Sequence, residues 1–118
     1  MSDKVFIRNL VLPCHIGVTE EERSEKQNVI LDIEVTSDLR RAGATDDITQ
    51  TTDYYEIKEN VTGALAKAQF KLLEALAETV ATIVLHDPAA LAVTVSVKKE
   101  KYSESPAMGI EILRRRNG

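Results

Sequence analysis

Lys99 is the residue whose placement most suggests proton chemistry. The odd-numbered residues from 91 to 97 are apolar and alternate with smaller or polar ones, as in a half-buried strand. Lys99 continues the apolar side, whereas Lys98 falls on the polar side. Two interpretations are open: the long side chain passes the core to reach solvent, or it presents a partly desolvated amine that moves protons for a substrate.

Acidic and phenolic side chains that could partner such a lysine are present, but the pattern alone does not select among them. The glutamates at 20–22 form a run in a polar segment, where carboxylates are normally solvated. Glu74 is expected in the first turn of a helix, where the helix dipole favours a carboxylate in any case. Tyr54 competes with Tyr55 for a core or a site position.

The histidines and the cysteine do not suggest a metal or nucleophile site. Cys14 and His15 are adjacent, so in a strand they point to opposite faces, and His86 is expected at a helix end. The sequence also lacks a Gly-rich phosphate loop, a CxxC pair and a Ser-His-Asp arrangement. We therefore expect neither a metal nor a cofactor.

The elements that must position these residues begin with two strands. Apolar residues alternate from Val5 to Cys14 and again from Val29 to Val35, and the polar segment 17–26 connects them. A second polar connection follows at 40–52.

Two helices come next. Asp53 begins a pattern that resembles a capping box and starts a helix. At about 100° per residue, the apolar stripe that begins at Leu73 is rotated by roughly 100° from the stripe that ends at Ala68. The helix therefore breaks near residues 69–71, and Pro88 ends the second one.

Apolar residues alternate once more in 91–97 and 108–112, which completes the order β, β, α, α, β, β. That order predicts one α+β domain over residues 1–118, a four-stranded antiparallel sheet with both helices on one face. We interpret the terminal run Arg114–Arg116 as a solvated strand end.

Composition limits the class of partner and the compartment. Lys plus Arg number 15 and Asp plus Glu number 19, and this mild, mixed charge of -4 argues against a nucleic-acid partner. Cys14 has no second cysteine with which to form an internal disulfide, which fits a reducing compartment. No segment has the pattern of a secretory signal or a membrane span. We expect a cytoplasmic protein.

Five fragments taken together resemble the dihydroneopterin aldolase family. They are IGVTEEERSEKQ (16–27), DDITQTTDY (46–54), FKLLEALAE (70–78), VKKE (97–100) and GIEI (109–112). The resemblance spans nearly the whole chain and rests on the order and spacing of the fragments.

The resemblance implies roles for particular residues. The family's loop glutamate corresponds to Glu22, its tyrosine before the first helix to Tyr54, and its catalytic lysine to Lys99. The carboxylate of its L-L-E segment corresponds to Glu74, beside Leu73, whose backbone would contact the ligand.

These roles imply a retro-aldol reaction on 7,8-dihydroneopterin that yields 6-hydroxymethyl-7,8-dihydropterin and glycolaldehyde. Glu74 would grip the N3–H and 2-amino group of the pterin bidentately. Tyr54 would contact the ring and take part in proton transfer near the side-chain hydroxyl. Lys99 and Glu22 would move protons near N5 and the 2'-hydroxyl through water. Because a protonated N5 is an electron sink, the lysine need not form a covalent intermediate.

The resemblance also implies the tunnelling fold, or T-fold, in which subunits assemble into rings. A tetramer or an octamer would then place the pterin sites between neighbouring subunits. The sequence departs from the family in two places. Glu100 stands where many members have proline, and the segment 101–108, which would form the loop over the site, is short and unusual.

Two alternative functions fit the same residues. An epimerase that acts on dihydroneopterin triphosphate shares these positions, and Arg23, Lys98 or Lys101 would supply the cations that a triphosphate needs. A noncatalytic pterin or purine binder on the same fold would need only Glu74 and apolar walls.

Overall fold

The computed structural model describes residues 3–100 and 108–116 and shows a sheet with two long helices packed on one face. The helices are α1 (Glu20–Arg23), α2 (Arg40–Thr45), α3 (Tyr54–Lys67) and α4 (Leu73–Leu85). The strands are β1 (Lys4–Ile16), β2 (Gln27–Thr36), β3 (Gln69–Phe70), β4 (Ala92–Lys99) and β5 (Gly109–Arg115). A 3-10 turn spans Ile48–Gln50. The predicted α+β class is therefore confirmed.

The sheet itself differs from the prediction. Its order is β3-β1-β2-β4-β5, and the four long strands β1, β2, β4 and β5 are each antiparallel to the next. β3 pairs in parallel with the end of β1, so the sheet is five-stranded and mixed, not four-stranded and antiparallel. The break between the helices, predicted near residues 69–71, contains β3. A strand of two residues is too short to be predicted from alternation. β3 forms because the extended backbone of the break pairs with β1.

A bulge in β1 explains a change of parity in the sequence. Apolar residues are odd-numbered up to Ile7 and even-numbered from Leu10, and the register with β2 shifts between these two residues. Asn9 adopts a left-handed φ of 57° there, and its N–H donates to Asp32 Oδ1 at 2.7 Å. The extra residue returns the apolar side chains to the helix-facing side of the sheet.

The core lies between that face of the sheet and helices α3 and α4. The largest fully buried side chains are Ile16, Leu31, Ile33, Leu65, Leu76, Val29, Val35, Val61, Val80, Val84, Val93 and Val95. Cys14 is buried among them, and burial raises the pKa of its thiol. Among the described residues, no helix has the length and apolar character needed to cross a membrane.

Side chains fix the ends of both long helices. The Asp53 carboxylate accepts hydrogen bonds from the N–H groups of Tyr55 and Glu56, at 2.9 and 3.4 Å, so α3 begins at Tyr54, one residue after the expected start. At the C-terminal end of α4, the Arg116 guanidinium donates to the carbonyls of Leu85 and of two residues in the following turn. The arginine run at the chain's end is therefore exposed but partly engaged in holding α4 against β5.

Candidate active site

Lys99 and Glu22 form an ion pair at the end of the sheet where β4 ends. Lys99 Nζ lies 3.7 Å from Glu22 Oε2, and the two side chains are 12% and 31% exposed. Lys99 is paired with Val29 and lies on the buried side of β4, as the alternation predicted. A mostly buried amine beside a carboxylate is an arrangement that can pass a proton to and from a bound molecule.

The loop that carries Glu22 is built closely around this side chain. Thr19 caps α1: its Oγ1 accepts from the Glu22 N–H at 3.1 Å, and the Glu22 carboxylate accepts from the Thr19 N–H at 3.5 Å. The residues Thr19 and Glu22 have the capping-box spacing, as Asp53 and Glu56 do, so this cap too is encoded in the sequence. A Cβ added at Gly17 would overlap the Cβ of Glu22, so only glycine allows this close approach.

Two further contacts anchor the loop at its base. Arg23 Nη1 donates to the carbonyls of Gly17 and Val18, each at 2.9 Å, and His15 Nδ1 donates to the Arg23 carbonyl at 2.7 Å. Arg23 is thus already used to hold the loop. Of the cations considered for a triphosphate, Lys98 lies on the opposite face of the sheet beside Asp32 and Glu111, and Lys101 lies outside the described residues.

Glu74 and Leu73 begin α4 at the same end of the sheet. β3 leads directly into α4, and Phe70 accepts a backbone hydrogen bond from Gly17, so the start of α4 lies beside the loop that carries Glu22. No side chain in the described ranges caps α4, and the Glu74 carboxylate is exposed in its first turn. The free N–H groups and the helix dipole stabilise negative charge at this position.

Tyr54 lies at the other end of the sheet. With Tyr55 it borders an open, mostly apolar groove of about 700 Å³ next to the first residues of β1, including Phe6. The Tyr54 side chain is 62% exposed and is not part of the core.

One copy of the chain therefore does not bring all five expected residues together. In β2, Val29 pairs with Lys99, whereas Val35 pairs with Val5 at the groove. The separation of six positions along the strand corresponds to about 20 Å. Glu22, Glu74, Leu73 and Lys99 share one end, and Tyr54 stands at the other.

Gln27 belongs to the first group but was missed. Its Nε2 donates to the Ile16 carbonyl at 2.5 Å, while Oε1 is buried and has no hydrogen-bond partner among the described residues. An amide oxygen in this state can accept a hydrogen bond from a bound molecule. The sequence pattern does distinguish Gln27: it is a polar residue on the apolar parity of β2, as Lys99 is on that of β4.

A family model described as FolB, dihydroneopterin aldolase, matches residues 5–113. The chain belongs to the dihydroneopterin aldolase family. Dihydroneopterin aldolase of Escherichia coli (strain K12) is 37% identical over 83 residues, which are 70% of this chain and 68% of that protein.

Two solved structures of the family have the same fold as this chain. Escherichia coli dihydroneopterin aldolase in complex with neopterin superposes with a TM-score of 0.89 at 32% identity, covering 95% of this chain and 98% of that one. Dihydroneopterin aldolase from Burkholderia thailendensis bound to guanine gives a TM-score of 0.81 at 25% identity, covering 98% and 92%. Both ligands of these relatives are flat bicyclic heterocycles.

Proposed function

We propose that the chain cleaves the side chain of 7,8-dihydroneopterin between C1' and C2', releasing glycolaldehyde and leaving 6-hydroxymethyl-7,8-dihydropterin. Membership of the dihydroneopterin aldolase family supports the reaction, and the relative that holds neopterin supports the class of ligand. The observation that carries the proposal is the Glu22–Lys99 pair, since its atoms lie 3.7 Å apart at the end of the sheet where α4 begins.

Glu74 anchors the pterin. The N3–H and the 2-amino group form a pair of parallel donors, which one carboxylate accepts bidentately. The position of Glu74 in the first turn of α4 favours the negative charge that this contact needs. The backbone of Leu73, one residue earlier, lies beside the same ligand edge.

Lys99 and Glu22 move the protons of the cleavage. The 2'-hydroxyl loses its proton as the C1'–C2' bond breaks, and the electron pair of that bond passes through C6 into the protonated N5. The intermediate then takes a proton at C1' and N5 gives up its proton, so that the C6=N5 double bond re-forms and C1' becomes the hydroxymethyl group. Because the ring accepts the electrons, Lys99 acts as an acid and base and forms no covalent bond.

Tyr54 completes the site from a second copy of the chain. Among the described residues, β1 has an outer strand partner only at His15 and Ile16, and β5 pairs only with β4. Two open sheet edges allow head-to-tail contacts that close into a ring, a tetramer or an octamer. Such contacts would bring the Tyr54 groove of one copy against Glu74 and Lys99 of its neighbour.

A cytoplasmic location fits this function, because a reducing compartment suits both a reduced pterin and the free thiol of Cys14.

A direct assay tests the reaction. The protein is incubated separately with 7,8-dihydroneopterin and with its triphosphate, and the products are separated by chromatography. We expect glycolaldehyde and 6-hydroxymethyl-7,8-dihydropterin from the first substrate. Epimerised triphosphate as the main product would instead identify an epimerase, and tight binding without turnover would identify a pterin-binding protein.

A further inference from the structure

The two oxygens of the Glu22 carboxylate have different partners. Oε2 faces Lys99 Nζ at 3.7 Å, whereas Oε1 lies 3.4 Å from the Thr19 hydroxyl and 3.5 Å from the Thr19 N–H. The same hydroxyl accepts the Glu22 N–H at 3.1 Å. Thr19 therefore contacts Glu22 at both its backbone and its carboxylate.

This double contact limits the rotation of the Glu22 side chain. Glu22 is 31% exposed, and a glutamate at a surface has several rotamers of similar energy. With Oε1 held by Thr19, the remaining oxygen is directed at Lys99. Loss of the hydroxyl would remove the hydrogen bond that orients Oε1, and with it a constraint that keeps Oε2 facing the amine.

The loop backbone does not depend on this hydroxyl alone. Arg23 and His15 hold the loop through carbonyl groups on both sides of α1. The structural effect of removing the Thr19 hydroxyl is therefore confined mainly to Glu22.

We propose that Thr19 is a positioning residue, whose hydroxyl donates to Glu22 Oε1 and so aims Oε2 at Lys99. The proposal rests on the proposed function, in which Glu22 and Lys99 move the protons of the cleavage. Thr19 itself does not contact the substrate. Its effect is expected in turnover and not in pterin affinity.

Three substitutions separate this role from simple helix capping. Thr19→Val keeps the branched shape and removes the hydroxyl, whereas Thr19→Ser keeps the hydroxyl. Thr19→Asp preserves the cap, because aspartate accepts the Glu22 N–H as well as threonine does. It has no proton to donate to Oε1, however, and its charge repels the Glu22 carboxylate.

The experiment measures kcat with 7,8-dihydroneopterin, the affinity for neopterin and the thermal midpoint of each variant. We expect Thr19→Val to lower kcat about tenfold, the size of one lost hydrogen bond to a charged group, with neopterin affinity within about twofold. Thr19→Ser should restore kcat, and Thr19→Asp should restore the thermal midpoint but not kcat. Full activity in Thr19→Asp would show that Thr19 is only a cap and would overturn the proposal.

Glu22→Gln, measured in parallel, distinguishes a failure of the role proposed for Thr19 from a failure of the role proposed for Glu22. If Glu22→Gln loses turnover while Thr19→Val keeps it, Thr19 does not position the carboxylate, although the role of Glu22 stands. If Glu22→Gln keeps full turnover, the proposed role of Glu22 is wrong and the role of Thr19 is wrong with it.

Discussion

The two ends of the sheet differ in how many contacts of the candidate site a single copy of the chain forms there. At the end where β4 stops, Lys99 and Glu22 already face each other, and Thr19 and Arg23 hold the loop in place. At the other end, Tyr54 projects from the start of α3 into an open groove. The proposed proton transfer needs a fixed geometry of the two groups, and one copy holds them 3.7 Å apart. Within the described part of the chain, nothing covers the apolar groove.

The exposed fractions measure this difference. Lys99 is 12% exposed, whereas Phe6, Ile48, Tyr54 and Tyr55 range from 53% to 66%. An apolar patch of this kind normally marks a ligand site or an interface. In the proposed ring it is both, because the pterin would be enclosed between the groove of one copy and the paired end of another.

The largest effect is expected at the paired end. Lys99→Ala should lower turnover by about a hundredfold or more while neopterin affinity stays within about tenfold, because a proton-transfer group is lost and the anchor is kept. Steady-state kinetics and titration with neopterin provide the two measurements. Lys98→Ala is the matched control, since Lys98 lies on the opposite face, and it should change neither quantity. Similar losses from the two lysines would show that only the local charge matters.

The next largest effect is expected for the anchor. Glu74→Ala should weaken neopterin binding by about 2 kcal/mol, roughly thirtyfold, because two donors of the ligand lose their charged acceptor in an enclosed site. Titration followed by fluorescence measures the affinity. Glu56→Ala is the control, because Glu56 also lies in the first turn of a long helix but at the other end of the sheet. Unchanged affinity in Glu74→Ala would mean that another group holds the pterin.

Alternation and helical spacing predicted the two helices, the four long strands and the buried side of β4 that includes Lys99. These patterns succeed because one face of each element is covered by the core, so the sequence must alternate or repeat accordingly. The same patterns missed β3, because Gln69–Phe70 covers a single period of strand alternation and so cannot show a repeat. They also missed α1, whose four residues are all polar and which is defined by its cap.

The sequence indicates the residues of the candidate site to a different extent. Parity isolated Lys99, but selecting Glu22 from residues 20–22 required the family resemblance, since all three glutamates are equivalent in a polar run. Their difference is a tertiary contact: only Glu22 meets Thr19, Gly17 and Lys99. The separation of Tyr54 from Lys99 likewise depends on strand register, which the sequence pattern did not provide.

The smallest effect tests whether the two ends meet between copies. Tyr54→Ala and Lys99→Ala proteins, each nearly inactive, are unfolded, mixed in equal amounts and refolded so that subunits combine at random. A site is intact only when the copy that provides the lysine end has the tyrosine substitution and its neighbour has the lysine substitution. Random head-to-tail pairing makes about a quarter of the sites intact. Activity of the mixture should therefore rise to about a quarter of that of refolded wild-type protein. Each variant refolded alone should stay inactive. If sizing and mass spectrometry show mixed rings that remain inactive, Tyr54 does not act across the contact between copies, and the groove at its end of the sheet has another role.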